Sequence, residues 1–356
     1  MRDIIKKVLR EALGVPEGIV SASRKLYGEF TSYFFNAITQ GVNEYDFYVT
    51  PNNPMNIGGL VIDEVNFVVT IHENKRADEV DVISMGVGGK VEVENDPKPI
   101  MKVQDKGGVV LFQMDIVVPE DWKESDVIDY FNKNRSKIIS SFTHEIKHEF
   151  DDFKKPFMSV KDRLDYEMAK EMMQGVNTLR KFAFLMYFTH RIENLVRPSE
   201  LASLIDTEQI TKKEFVDFIK NNNTYKMLDD ARNLSLESMK SEMLGEVGRI
   251  KKLFDSNDID YDGMSDEEIV DEMLDIFYIT MTNQKMNRFL DIMSDNIFER
   301  LMGFSGNKLK NVEKYQNYVS KFESNPKEFY NYEFGKMKNV SDKMIRKLYK
   351  LYDLAK

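Results

Sequence analysis

The residues best equipped for chemistry stand in "ISSFTHEIKHEF", positions 139 to 150, where His144 is followed at once by Glu145 and, four positions on, by His148. On a helix four residues advance about 400°, so the two imidazoles lie about 40° apart on one face, one turn above the other. Side chains so placed can reach a single ion. Glu145 is rotated about 100° from His144, near enough to meet a water on that ion without taking a ligand place, where a general base belongs. The chain has four histidines and no cysteine in 356 residues. Random placement would give this pattern in roughly a few chains per thousand of this composition, so the scarcity of histidine makes the match informative. Without thiolates, any metal must be held by histidine and carboxylate.

A catalytic metal usually keeps three protein ligands and leaves one place for water. The third must come from another element, and "LMYFTHRIENLVRPSELASLID" offers His190, Glu193 and Glu200. Glu200 also fits as an acid at a helix start behind Ser199 as N-cap. His190 or Tyr187 could instead donate to the oxyanion of a tetrahedral intermediate. Asp151, seven residues past His144, could hold a ligand imidazole from outside. The competing reading is a solvated face on which Glu145 pairs with Lys147 and Lys137.

These residues need a packed helix to position them. Ile138, Ile139, Phe142, Ile146, Phe150 and Phe153 supply an apolar set on the side away from the histidines. The pattern predicts one helix from Ser125 as N-cap to the basic turn before Pro156. Upstream, "LVIDEVNFVVTIHE" (60 to 73), "VDVISMGV" (80 to 87), "GKVEVEND" (89 to 96) and "GGVVLFQMDIVVPE" (107 to 120) predict three to five antiparallel strands joined by hairpins. The glycines of "MGVGGK" and "DKGGVV" read as turns, since neither run has Walker spacing or feeds a helix. Downstream, helices are expected over 160 to 196, 199 to 205, 211 to 245, 265 to 303 and 308 to 355. Two more precede the sheet, one amphipathic around Ile4, Ile5, Val8, Leu9 and Leu13, the other at 19 to 40.

The order of an antiparallel sheet, an HExxH helix and a helical second part resembles the zincin metallopeptidases. Gluzincins bring in a glutamate from a helix downstream of the motif, so the resemblance favours Glu200 in "RPSELAS" as third ligand after His144 and His148. It implies a zinc-dependent peptidase in which zinc and Glu145 activate water, acting on a protein or peptide aligned along a strand above the helix, with 107 to 118 as a candidate strand. The flanks, with Tyr187 and Phe188 before Ser199, Glu200 and Ala202, are similar to HExxH proteins of tailed bacteriophages. That likeness implies a second possibility, a virion structural or assembly protein keeping the metal site without required proteolysis. Its partners would be other phage structural proteins, its place the host cytoplasm or the virion.

Composition sets outer limits. A net charge of −10 argues against a duplex nucleic-acid binder. No run reaches the ~18 apolar residues of a membrane span, and the N-terminus lacks the continuous apolar stretch of a signal peptide. The fold class expected is α+β, with N-terminal helices at 1 to 45, a zincin-like domain at 46 to 250 (sheet to 120, then the active-site helices) and a helical C-terminal domain at 265 to 356. The polar run "FDSNDIDYDGMSDEE" (254 to 268) reads as the linker. Within it Asp258, Asp260, Asp262 and Gly263 match the start of an EF-hand loop, but Ile269 stands where the closing glutamate belongs. A capping box of Ser265 and Glu268 accounts for the region without calcium.

Overall fold

A computed structural model describes residues 13–39, 44–50, 55–75, 77–89, 108–154, 175–294, 317, 322 and 325–351. The fold class is α+β. Helix α1 (Ile19–Ile38) precedes strands β1 (Glu44–Val49), β2 (Met55–Ile57), β3 (Leu60–Glu73), β4 (Asp81–Gly89) and β5 (Gly108–Val118). The helices that follow are α2 (Glu124–Lys133), α3 (Arg135–Lys154), α4 (Asn177–Phe188), α5 (Arg191–Thr207), α6 (Phe215–Asn221), α7 (Asn223–Asn233), α8 (Leu236–Leu244), α9 (Val247–Ser256), α10 (Asp266–Ser294) and α11 (Pro326–Lys350). Most of "GKVEVEND" and the helix expected around Ile4 to Leu9 lie outside the described residues. Among the described residues no helix is long and apolar enough to cross a membrane.

The strands form one sheet in the order β1-β3-β5-β4, with β2 also paired to β3. The all-antiparallel expectation is corrected at its centre, where β3 and β5 run parallel from Ile62 opposite Gly108 to Glu73 opposite Val118. The reason lies in burial. Val65, Phe67, Val69 and Ile71 of β3 and Val110, Phe112, Met114, Ile116 and Val118 of β5 are all buried. Setting the two longest apolar strands side by side at the centre removes the most apolar surface from water. The turn reading of "MGVGGK" is corrected too, because Gly86, Gly88 and Gly89 are residues of β4, opposite Gln113, Leu111 and Val110. The glycine turn is at Gly58 and Gly59, with φ of 57° and 101°, between β2 and β3. A Cβ on Gly58 would stand 3.0 Å from the Phe150 ring of α3, so both conformation and space require glycine there.

The single helix expected from Ser125 is two. It begins at Glu124, with the Lys123 amide donating to Asp126 at 2.8 Å, and is interrupted at Asn134, whose amide side chain donates to the Tyr130 carbonyl at 3.0 Å. Helix α3 then buries Ile138, Ile139, Phe142 and Ile146. The Phe142 ring meets Phe112 of β5 edge-on at 5.3 Å and Phe30 of α1 at 5.7 Å. Full burial of such a ring contributes roughly 1.5–3 kcal/mol, which fixes the rotation of α3 about its axis. The opposite face, carrying His144 and His148, is thereby pointed away from the sheet.

The chain divides into two compact units, one drawn from Met1–Pro156, Leu195–Ile219 and Lys347–Lys356, the other from Phe157–Asn194 and Lys220–Arg346. The division falls within α5, whose first turn is counted with the second unit and whose remainder belongs to the first. The second unit has its own core, in which Phe182 packs against Tyr330 at 5.6 Å and Phe334 at 5.5 Å. The run read as a linker lies inside this unit. Phe254 and Ile269 are buried in one cluster, with Ile259 and Tyr261 packed against it. The capping box does form, with the Ser265 amide donating to Glu268 at 2.7 Å and the Glu268 amide to the Ser265 hydroxyl at 3.3 Å.

Candidate metal centre

Helices α3 and α5 position the site, and a stripe of α3 residues at intervals of four faces α5. Ser136 donates to the Glu208 carboxylate at 3.0 Å, Ser140 to the Glu200 carbonyl at 3.1 Å, and His144 Nδ1 stands 3.2 Å from Glu200 Oε2. Residue numbers rise on one helix as they fall on the other, so the two run antiparallel. Pro198 lies within α5 without ending it. Glu200 is consequently in the third turn, and the reading of Ser199 as an N-cap with Glu200 at a helix start is corrected.

His144, His148 and Glu193 each bring one ligand atom within 4.8 Å of the others. The two Nε2 atoms are 3.1 Å apart, and the imidazoles stand edge to face with centroids 4.8 Å apart. Tetrahedral zinc with bonds of about 2.0–2.1 Å separates its ligand nitrogens by about 3.4 Å, so the pair is close to that spacing without rearrangement. Glu193 is fully buried, in the first turn of α5. A carboxylate removed from water is costly unless a cation or strong donors face it, and two imidazole nitrogens plus one carboxylate oxygen form a donor set suited to a divalent ion. The group is compatible with a metal ion on its geometry and on the chemistry of its donors.

Glu200, the third ligand the resemblance favours, is not a member of this group. Its Oε2 lies 3.2 Å from Nδ1 of His144, the ring nitrogen other than the one that meets His148, and accepts from Arg197 Nη1 at 2.8 Å. Glu200 thus contacts one imidazole of the group through the ring nitrogen that faces away from His148. Burial works against its ionisation, but the Arg197 charge and the hydrogen bond with His144 outweigh it and hold the carboxyl down at about 2. Glu193 is among the candidates the sequence offers; Arg197 is not. Its signal was the spacing Glu193, Arg197, Glu200, which places all three on one helical face.

Glu145 Oε1 lies 4.0 Å from His144 Nε2, beside the group but outside it. The salt-bridged face expected as an alternative is differently wired, since Lys147 pairs with Asp151 and Lys137 with Asp81 at 3.8 Å. Asp151 therefore faces a lysine and not an imidazole. Lys147 is buried, and desolvation lowers its pKa against the opposing pull of Asp151. His190 is buried in the second unit, where it lines a small cavity with Glu333 and Lys336, and it is not a member of the ligand group. Tyr187 packs against that unit's core.

No family model, curated protein or solved structure matches this chain.

Proposed function

We propose that this chain is a zinc-dependent peptidase of the zincin kind. The observation that carries the reading is the convergence of His144, His148 and Glu193, with Glu145, the residue directly after the first ligand, alongside but not within the group. Zinc bound there would polarise a peptide carbonyl and acidify a water. Glu145 accepts the proton of the attacking water and returns it to the departing amine nitrogen. Glu200, on Nδ1 of His144, would hold the ring so that Nε2 is the nitrogen left for a metal.

Sheet topology supports a peptide substrate. The sequence pointed to 107 to 118 as the aligning strand, but β5 is internal, paired to β3 and β4. The end strands of the sheet are β1 and β4, and α3 packs against β4. Among the described residues its outer edge pairs with no other strand. At Val82 the backbone N–H is taken by the Tyr130 hydroxyl at 3.3 Å, which itself donates to Asp81 at 2.6 Å. Beyond it, Gly86 and Gly88 carry no side chains to block the approach of another backbone. An extended peptide added along Ser84–Gly88 is the expected binding mode.

The test compares the wild type with Glu145→Gln on unfolded casein, with and without a chelator. Cleavage by the wild type alone, abolished by chelation, is the expected result. Equal cleavage by both proteins, or by neither while zinc is bound, would remove the catalytic reading and leave a metal-bearing scaffold.

A further inference from the structure

We infer that Arg197 is a positioning residue for the metal centre, acting through Glu200 on the tautomer and orientation of His144; this deepens the peptidase reading and rests on it. The observation is a linear relay in which a single oxygen, Glu200 Oε2, receives Arg197 Nη1 at 2.8 Å and His144 Nδ1 at 3.2 Å. Its side chains are largely shielded, with relative exposures of 14% for Arg197, 20% for Glu200 and 12% for His144. Arg197 and Glu200 stand three apart on α5, so the helix holds the guanidinium against the carboxylate whatever α3 does.

The consequence for His144 follows from hydrogen-bond roles. Arginine only donates, so Oε2 must be an acceptor toward it, and the same oxygen then calls for a proton on Nδ1. A proton on Nδ1 leaves the lone pair of a neutral imidazole on Nε2, the atom facing His148 at 3.1 Å. A neutral neighbour in place of Arg197 would remove that bias. Glu200 could then turn away, and the ring would sample the other tautomer, whose Nε2–H cannot ligate. Lysine keeps the charge but not the planar fork, so it is expected to restore the effect in part.

The experiment uses the full chain. Long-range proton–nitrogen NMR spectra of the metal-free protein report the His144 tautomer in wild type, Arg197→Met, Arg197→Lys and Glu200→Gln. Zinc affinity is measured on the same proteins by competition with a chromogenic chelator. The wild type is expected to hold the Nδ1–H form. Arg197→Met should lose that preference and bind zinc about 10-fold more weakly, within the 10–100-fold range typical for loss of an outer partner. Arg197→Lys should fall between the two, and Arg197→Met combined with Glu200→Gln should be no weaker than Glu200→Gln alone. An unchanged tautomer and unchanged affinity in Arg197→Met would overturn the inference. If Arg197→Met does not fold by circular dichroism, Arg197→Gln, which keeps an N–H donor without charge, decides by the same readouts. A wild type that binds no zinc would sink the peptidase reading, while the tautomer comparison would still test the relay.

Discussion

Two stretches of this chain resemble metal sites in sequence, and their side chains are spent in different ways. On α3 and α5, His144, His148 and Glu193 converge, and Glu200 serves an imidazole. In the loop before α10, the acids serve local backbone and ring partners. The Asp262 amide donates to Asp260 at 3.0 Å, the Tyr261 hydroxyl to Asp255 at 2.8 Å, and Glu268 caps the helix with Ser265. The first set is largely shielded from water, whereas Asp258, Asp260 and Asp262 lie in an exposed or half-exposed run. Donors on rigid, packed helices stay aimed at a common point, while a loop lets each carboxylate find its nearest N–H.

The largest effects should come from breaking the first region. His144→Ala, His148→Ala and Glu193→Gln are each expected to weaken zinc binding by more than about 100-fold, beyond the loss typical of an outer partner, in chelator competition. Asp260→Asn should leave zinc binding unchanged. Next in size is the support beneath the histidines. Phe142→Ala should cost about 3–5 kcal/mol in urea unfolding, because the ring fills a fully buried place between β5 and α1. If its zinc affinity in the folded state were also lowered, core packing and site geometry would be coupled more tightly than the separate faces of α3 imply.

The sequence made the helix legible because its information is periodic. His144 and His148 four apart, and Ile138, Phe142 and Ile146 at the complementary spacing, specify a face for each without knowledge of any other element. What it could not specify was the partner helix. Pro198 and the acid after Ser199 suggest a helix start, and only the continuous run of α5 through Pro198 brings Glu193 to the histidine pair and Glu200 behind His144. The parallel pairing of β3 and β5 was hidden for a related reason. Local turn signals report neighbours in sequence, and this pairing joins strands with β4 between them in the chain.

Smaller effects sharpen the contrast from the side of the second unit. Glu246 accepts from the Asn177 and Thr178 amides, both at 2.9 Å, and from the Thr178 hydroxyl, closing the start of α4. Burial opposes its charge, but these hydrogen bonds prevail and hold its pKa below the usual carboxylate value. Its folded pKa is the lower one, so its contribution is complete above about pH 4.5 and is lost as pH falls through the folded value. Glu246→Gln should therefore cost about 1 kcal/mol at neutral pH and progressively less in acid, measured by urea unfolding across that range. Smallest of all, Ser265→Ala should cost about 1 kcal/mol or less through the lost cap, with no change in zinc content.

The most direct measurement is the zinc content of the purified wild type, set beside the combined His144→Ala, His148→Ala and Glu193→Gln protein, by elemental analysis after metal-replete expression. About one zinc per chain in the wild type and less than about 0.2 in the variant is the expected result. Less than about 0.2 per chain in the wild type, or equal content in both, would contradict a dedicated metal centre at the meeting of α3 and α5.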